Sequence, residues 1–126
     1  MKKFRVLIYE DDKSWVDGFK FNMEPKFAAE SIALVVNHKE DDSTIMQDLE
    51  WLPNLILVDH DLGVQVGKDI IIQIFGDPQF NRVSIYYYSG GESIEDLKKL
   101  VSDVPGVIHC YSKKGEELEN SIFAFG

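Results

Sequence analysis

Cysteine is almost absent from this chain of 126 residues, in which Cys110 is the only one. A single cysteine cannot form an internal disulfide, so packing must hold the fold, as is typical of proteins in a reducing compartment. No apolar run approaches the roughly 20 residues that a membrane helix needs. The run that follows Lys2 and Lys3 reaches acidic residues too soon for a signal peptide. We therefore predict a cytoplasmic protein with no membrane contact, in which Cys110 is a small buried thiol.

Basic residues are the second shortage. The chain has 13 Lys+Arg against 22 Asp+Glu, which gives a formal net charge of -9 at pH 7. Such a field repels a polyanion, so direct binding of nucleic acid is disfavoured, and proteins or metal ions are the expected partners. Hydrophobic residues still make up 44%, enough for a domain of this length to bury a core. We predict a single domain over residues 1–126, with no output domain.

The hydrophobic pattern alternates between strands and helices. Strands are predicted at residues 4–9, 32–36, 55–58, 83–88 and 107–111. The first helix is expected to begin near Asp12 and to end at Pro25, and the third to cover residues 68–75. The other helices carry apolar faces at Ile45, Met46, Leu49 and Leu52, at Ile94, Leu97, Leu100 and Val101, and at Leu118, Ile122 and Phe123. This alternation predicts an α/β, flavodoxin-like (βα)5 three-layer sandwich with a parallel five-stranded sheet in the order 2-1-3-4-5.

Carboxylates follow two strands that this order makes neighbours. Glu10 and Asp11 come directly after the first strand, and Asp59 and Asp61 come after the third. Because clustered carboxylates repel each other, they persist together chiefly when a cation neutralises them. Acids without a histidine or cysteine ligand pattern favour Mg²⁺, with Mn²⁺ as the alternative. His60 is not expected to be a ligand, since strand alternation directs it away from Asp59.

A hydroxyl and a lysine follow the remaining two strands at the same edge of the sheet. Ser89 ends the fourth strand, and Lys113 comes just after the fifth. Each is an ordinary residue at a strand end when taken alone. Together with the acids they supply the positioning and charge neutralisation that phosphoryl transfer requires.

The order and spacing of these segments resemble the receiver domain of two-component response regulators, the CheY-like superfamily. The segments are V-L-I-Y-E-D-D, P-N-L-I-L-V-D, a glycine eight residues after Asp59 (Gly67), Y-Y-S-G and C-Y-S-K-K. The resemblance spans nearly the whole chain. It implies that Asp59 is a nucleophilic phosphoacceptor, and that Ser89 and Lys113 contact the phosphoryl oxygens. The implied Mg²⁺ ligands are Asp59, Asp11 directly, Glu10 mainly through water, and the backbone carbonyl of Asp61.

The resemblance also implies the partners. A sensor histidine kinase or a phosphotransfer protein would supply the phosphoryl group, and a downstream protein would read the modified surface of helix four, strand five and helix five. A homodimer through that surface is the alternative to a different target protein. Such a chain assists its own phosphorylation and dephosphorylation, but it is not a conventional turnover enzyme.

Several positions depart from the usual receiver pattern. Gly63 stands where receivers usually have proline, and Asp61 adds a carboxylate that is predicted to strengthen the demand for a cation and to alter dephosphorylation. Lys113 is followed by Lys114 instead of proline. Counting from Gly106 favours Lys113 as the functional lysine.

The aromatic residue that usually follows the movement of the hydroxyl is also displaced. If Lys113 is the functional lysine, Cys110 takes the place of that aromatic; if Lys114 is, Tyr111 recovers it. The fourth strand instead carries three consecutive tyrosines, at positions 86–88. Core packing is the expected role of these rings, although each buried hydroxyl needs a partner.

Other functions share part of this pattern. A Toprim-type metal domain of nucleic-acid enzymes also pairs a glutamate with a later D-x-D, as in Glu10 and Asp59-His60-Asp61, but it leaves Ser89 and Lys113 unexplained. Haloacid-dehalogenase-like phosphatases place D-x-D after the first strand. A receiver-like module that binds a partner without phosphorylation is the third alternative.

Overall fold

The computed structural model describes residues 2–80 and 82–126, which form one parallel five-stranded sheet in the order β2-β1-β3-β4-β5. The strands are β1 (Lys2–Tyr9), β2 (Ile32–Lys39), β3 (Leu55–Asp59), β4 (Ser84–Ser89) and β5 (Ile108–Ser112). The helices are α1 (Lys13–Ala29), α2 (Ile45–Glu50), α3 (Gly67–Phe75), α4 (Ile94–Leu100) and α5 (Glu117–Phe125), with a 3₁₀ turn at Pro78–Phe80. The predicted fold class and strand order are therefore confirmed.

The core lies on both faces of the sheet because helices cover both. Leu7, Ile56 and Ile85 belong to the cluster beneath α2, α3 and α4, whereas Ile8 and Leu57 belong to the cluster beneath α1 and α5. All of β3 is buried. A strand that is covered on two faces has no polar side to show, which is why the central strands have continuous apolar sequences.

The prediction that Pro25 ends the first helix is wrong, since α1 continues through it to Ala29. A proline inside a helix removes one N–H, which would otherwise bond to the carbonyl four residues earlier. That residue is Phe21, whose side chain is 82% exposed, so this side of the helix faces solvent. Met23 and Phe27 lie on the buried side, one before and one after the proline. Their burial contributes about 1.5–3 kcal/mol each, which outweighs the cost of the hydrogen bond that the helix loses at Pro25.

The predicted apolar face of the second helix is only half correct. Ile45 and Leu49 are buried, but Met46 and Leu52 are 57% and 58% exposed. The helix ends at Glu50, and Leu52 has a φ of 58°, in the left-handed region. Leu52 is therefore turned away from the helical face on which its spacing would have placed it.

This topology brings the carboxyl ends of the parallel strands to one edge. Val6 to Tyr9 of β1 pair with Leu55 to Val58 of β3, so the residues that follow Tyr9 and Val58 emerge side by side. In the part of the chain that the structure describes, no helix is long and apolar enough to cross a bilayer.

Candidate functional site

Three carboxylates meet where β1 and β3 end. Glu10 and Asp59 are buried, whereas Asp11 is exposed at the rim. One carboxylate oxygen from each of the three lies within 4.8 Å of the others. Oxygen ligands at such spacing fit a hard divalent cation, so the structure brings together the side chains that the sequence predicted as metal ligands.

The turn into α1 gives each of three consecutive acids a different place. Asp12 is the N-cap of α1: its Oδ1 accepts from the backbone N–H of Ser14 at 3.0 Å and of Trp15 at 3.3 Å. Hydrogen bonds from Ser14 and Trp15 lower the pKa of the Asp12 carboxyl. Asp12 lines the same cleft as Asp11, but its Oδ1 caps the helix and it lies outside the group of three carboxylates.

The ammonium group of Lys113 lies among these acidic side chains. Its Nζ lies 2.8 Å from Oε1 of Glu10 and 2.9 Å from Oδ2 of Asp59. The backbone N–H of Lys113 donates to the carbonyl of Ser89 at 2.9 Å, which continues the pairing of β4 with β5. Lys114 is exposed. Of the two lysines that the sequence left open, Lys113 is therefore the one whose ammonium reaches the site.

The site has more negative charge than Lys113 can balance. Three carboxylates against one ammonium leave two negative charges when all are ionised. Burial, and then the neighbouring Asp59, raise the pKa of Glu10; burial and the neighbouring Glu10 raise the pKa of Asp11. Partial burial alone would lower the pKa of Lys113, but its bonds to Glu10 and Asp59 outweigh this and raise it. A divalent cation would relieve the remaining repulsion.

Ser89 is buried in the same cleft, which has a volume of about 600 Å³ and is also lined by Asp11, Asp59 and Lys113. The Oγ of Ser89 accepts from the backbone N–H of Gly91 at 3.1 Å and of Glu92 at 2.9 Å. The hydroxyl therefore holds the loop that leads into α4.

The loop after Asp59 lies against the cleft. Asp61 lines the cleft, and its Oδ1 accepts from the N–H of Gly63 at 3.0 Å, but its carboxylate is outside the group of three. Gly63 has a φ of 78° and lies close to Asp11, since a Cβ added to it would be 3.4 Å from Oδ2. Proline, whose φ is fixed near −65°, cannot adopt this conformation, which accounts physically for its absence here.

Gly67 allows α3 to begin directly against the strand that carries Asp59. A Cβ on Gly67 would lie 2.2 Å from the backbone oxygen of Asp59 and 2.8 Å from Cγ1 of Val58. Any side chain would have to displace one of these two elements, so the glycine fixes where Asp59 stands.

Sequence reasoning missed two aromatic residues in contact with the site. Tyr88 donates its hydroxyl to Oε1 of Glu10 at 3.0 Å, and the Trp15 ring stacks on Tyr88 with centroids 5.0 Å apart. The Lys113 Nζ lies 5.5 Å from the centre of the Trp15 ring. The available signal was the demand of a buried tyrosine hydroxyl for a partner.

The remaining aromatic positions separate onto the two faces of the sheet. Cys110 packs with the cluster that contains Tyr87, whereas Tyr111 packs on the opposite face, with its ring 5.0 Å from that of Tyr86. The thiol of Cys110 is only partly buried, so the prediction of a buried thiol is wrong. His60 is directed to Tyr87, with Nδ1 2.5 Å from the hydroxyl, and takes no part in the acidic group.

No protein-family model and no curated protein sequence matches the chain. Solved structures do. A two-component response regulator from Legionella pneumophila has a TM-score of 0.72 at 16% identity, over 97% of this chain and 95% of that one. The phosphorylated cyanobacterial phytochrome response regulator RcpA has a TM-score of 0.68 at 22% identity, over 97% and 87%. The Mn²⁺-bound response regulator Rcp1 has a TM-score of 0.65 at 21% identity, over 96% and 87%. This chain therefore has the fold of a response-regulator receiver domain.

Proposed function

We propose that the chain is a phosphoacceptor receiver domain, in which Asp59 accepts a phosphoryl group and so switches a protein-protein interaction surface. The observation that carries the proposal is the Lys113 ammonium, which bridges Glu10 and Asp59 inside the group of three carboxylates. A buried nucleophile, a cation and clustered acids at one strand edge are the parts that phosphoryl transfer to a carboxylate needs. Ser89 in the same cleft adds support.

A divalent cation, Mg²⁺ or Mn²⁺, is part of the proposal. Asp11 and Asp59 would hold it directly, Glu10 through water, and the backbone carbonyl of Asp61 would complete the protein ligands. The all-oxygen donor set fits these hard ions, and the similarly folded Rcp1 binds Mn²⁺. When bound, the cation supplies neutralisation of the carboxylates and of the phosphoryl oxygens.

In the proposed step an Oδ of Asp59 attacks the phosphorus of the donor. A P–O bond to Asp59 forms while the bond to the donor breaks, and its electron pair leaves with the histidine nitrogen of a kinase or with the acetate of acetyl phosphate. Lys113 exchanges its contact with Asp59 for a phosphoryl oxygen while it keeps Glu10. The charge that develops on the phosphoryl group is thus met by a fixed ammonium.

The Ser89 hydroxyl would connect this step to the surface. It now accepts N–H groups from the loop of Gly91 and Glu92, and it would donate its proton to a phosphoryl oxygen. Movement of the hydroxyl would take the loop with it and shift α4. The surface of α4, β5 and α5 is the proposed contact for a downstream protein, or for a second copy of the chain. β5 lies at the sheet edge, with His109 exposed.

The first test is intact mass after incubation with Mg²⁺ and acetyl phosphate. We expect the native chain to gain one phosphoryl group and to lose it again slowly, and we expect no gain in Asp59→Asn or in chelator. Asp61→Asn, which removes a carboxylate from the same loop outside the acidic group, should still gain the phosphoryl group, and only its demand for the cation and its rate of loss should differ from those of the native chain. A gain that survives in Asp59→Asn would contradict the assignment of the acceptor.

A native chain that gains no phosphoryl group in this test would point to a different function. If the native chain then also failed to bind Mg²⁺, the module that binds a partner without phosphorylation would be the better description. The Toprim-type alternative receives no comparable support, because Ser89 and Lys113 lie in the cleft with the acids.

A further inference from the structure

We propose that Tyr88, backed by Trp15, is a positioning residue for the phosphoryl site. Its hydroxyl holds Glu10, and Glu10 in turn holds the Lys113 ammonium beside Asp59. The inference rests on the proposed function, and it assigns a task to two residues whose spacing alone predicts only core packing.

The Glu10 carboxylate is fixed through both of its oxygens. Oε1 accepts from the hydroxyl of Tyr88 at 3.0 Å and from Nζ of Lys113 at 2.8 Å, and Oε2 accepts from the backbone N–H of Asp12 at 3.1 Å. Tyr88 is fully buried. A tyrosine hydroxyl is protonated at neutral pH, so Tyr88 is the donor in its bond to Glu10.

The aromatic rings also define where the ammonium can lie. Trp15 is stacked between Tyr88 and Phe19, with centroids 5.0 Å and 5.7 Å apart. The Nζ of Lys113 lies 5.5 Å from the centre of the Trp15 ring and 5.9 Å from that of Tyr88. A ring face attracts a cation at such distances. Lys113 is therefore held by one carboxylate and two rings even when its contact with Asp59 is given up.

Tyr86 shows what a tyrosine of this strand does when it only fills the core. It lies two residues earlier on the same face of β4, and its hydroxyl donates to the backbone oxygen of Ser121 at 3.4 Å, away from the acids. A phenylalanine would fill either place. Of these two hydroxyls, that of Tyr88 is the one directed at the group of three carboxylates.

The test compares Tyr88→Phe with Tyr86→Phe in Mg²⁺ and acetyl phosphate. Tyr88→Phe keeps the ring and frees Glu10 to rotate, so we expect the maximal rate of phosphorylation to fall roughly tenfold, the effect of losing one hydrogen bond to a charged group. The half-saturating donor concentration should stay unchanged, because the donor does not touch Tyr88. Tyr86→Phe should remain within about twofold of the native rate. Equal rates in the two variants would overturn the inference.

A second measurement needs no phosphorylation. The chain has two tryptophans, Trp15 and Trp51, so a Trp51→Phe background leaves Trp15 emission as a reporter of Lys113. We expect Mg²⁺ to change this emission, with a half-saturating concentration at least about threefold higher in Tyr88→Phe and unchanged in Tyr86→Phe. An unresponsive Trp15, or the same titration in all three chains, would overturn the inference. If the native chain accepts no phosphoryl group but this shift appears, phosphoryl transfer to Asp59 fails, while the role of Tyr88 in positioning Glu10 and Lys113 at the cation site stands.

Discussion

Two buried carboxylates, Asp48 and Glu10, have almost the same kinds of partner but very different surroundings. Asp48 lies on α2, where it accepts from the hydroxyl of Tyr9 at 2.8 Å and from Oγ1 of Thr44 at 3.0 Å, and Nζ of Lys39 is 3.7 Å away. Two hydroxyl donors and one partly exposed lysine supply the hydrogen bonds and the positive charge that the Asp48 carboxylate needs. No group of three metal-binding side chains forms around it in the described part of the chain.

Glu10 also has a tyrosine and a lysine, Tyr88 and Lys113, but it shares the lysine with Asp59 and lies close to Asp11. The repulsion among these acids opposes folding, whereas the contacts of Asp48 favour it. Burial and a hydrogen-bonded partner are therefore not enough to mark a carboxylate as part of the candidate site. What distinguishes the site is charge that the protein leaves unbalanced.

Removing Asp48 should have the largest effect on stability. Asp48→Ala leaves the hydroxyl of Tyr9 buried without an acceptor, which should lower the free energy of unfolding by about 2–3 kcal/mol. Urea unfolding in chelator measures this change. The double variant with Tyr9→Phe should recover part of the loss, because it removes the stranded hydroxyl. Stabilisation by Mg²⁺ should equal that of the native chain, and a diminished response would mean that Asp48 contributes to the cation site after all.

The loop beside Asp11 should be the next most sensitive. Gly63 has a φ of 78°, and Gly63→Ala should lower the free energy of unfolding by about 1–2 kcal/mol, because the left-handed conformation is unfavourable for a residue with a Cβ. Gly91→Ala is the matched control on the other loop of the cleft, where φ is not positive and an added Cβ meets nothing within 4 Å. Equal thermal denaturation curves for the two variants would argue against the observed backbone of the 61–66 loop.

Asp11→Asn should have the opposite sign. It removes one of the three mutually repelling charges from the rim of the site, so in chelator we expect a gain of about 0.5–1 kcal/mol, the size of an exposed charge interaction. The same variant should lose most of the stabilisation that Mg²⁺ gives the native chain. Asp12→Asn is the control and should bring no gain, because asparagine still caps α1 and the Asp12 carboxylate accepts hydrogen bonds from Ser14 and Trp15 that lower its pKa. A loss of stability in Asp11→Asn would remove the contrast with Asp48.

The sequence predicted the parts of this site that depend on strand ends. Glu10, Asp59 and Ser89 each follow a buried apolar run, and the parallel topology alone brings such positions together. Counting from Gly106 favours Lys113 over Lys114, but the register after β5 depends on one backbone bond that only the structure shows, from the Lys113 N–H to the Ser89 carbonyl.

The side-chain contacts of the buried carboxylates could not be predicted from the sequence, because the residues that make them are far apart along the chain. Tyr88 meets Glu10 across 78 positions, and Tyr9 meets Asp48 across 39. Periodicity places a side chain on a face of the sheet but does not identify the side chain that it meets there. The prediction that Pro25 ends the first helix was wrong for a related reason, since the burial of α1 on both sides of the proline is a tertiary effect.

The smallest expected effect is the pH dependence of the stability difference between Asp11→Asn and the native chain. The pKa values of Glu10 and Asp11 are raised from the ordinary values of 4.5 and 3.8. Below those ordinary values both groups are protonated whether the chain is folded or not. As the pH rises, the unfolded chain ionises first, so their contribution to stability is lost as the pH passes through the raised values. In chelator, the advantage of Asp11→Asn over the native chain should therefore be absent at about pH 3, below the ordinary value, and should grow until the pH exceeds the raised pKa of Asp11, whereas saturating Mg²⁺ should reverse it, because the native carboxylate then gains a partner. An advantage that is constant with pH would mean that the Asp11 charge meets no repulsion in the folded protein.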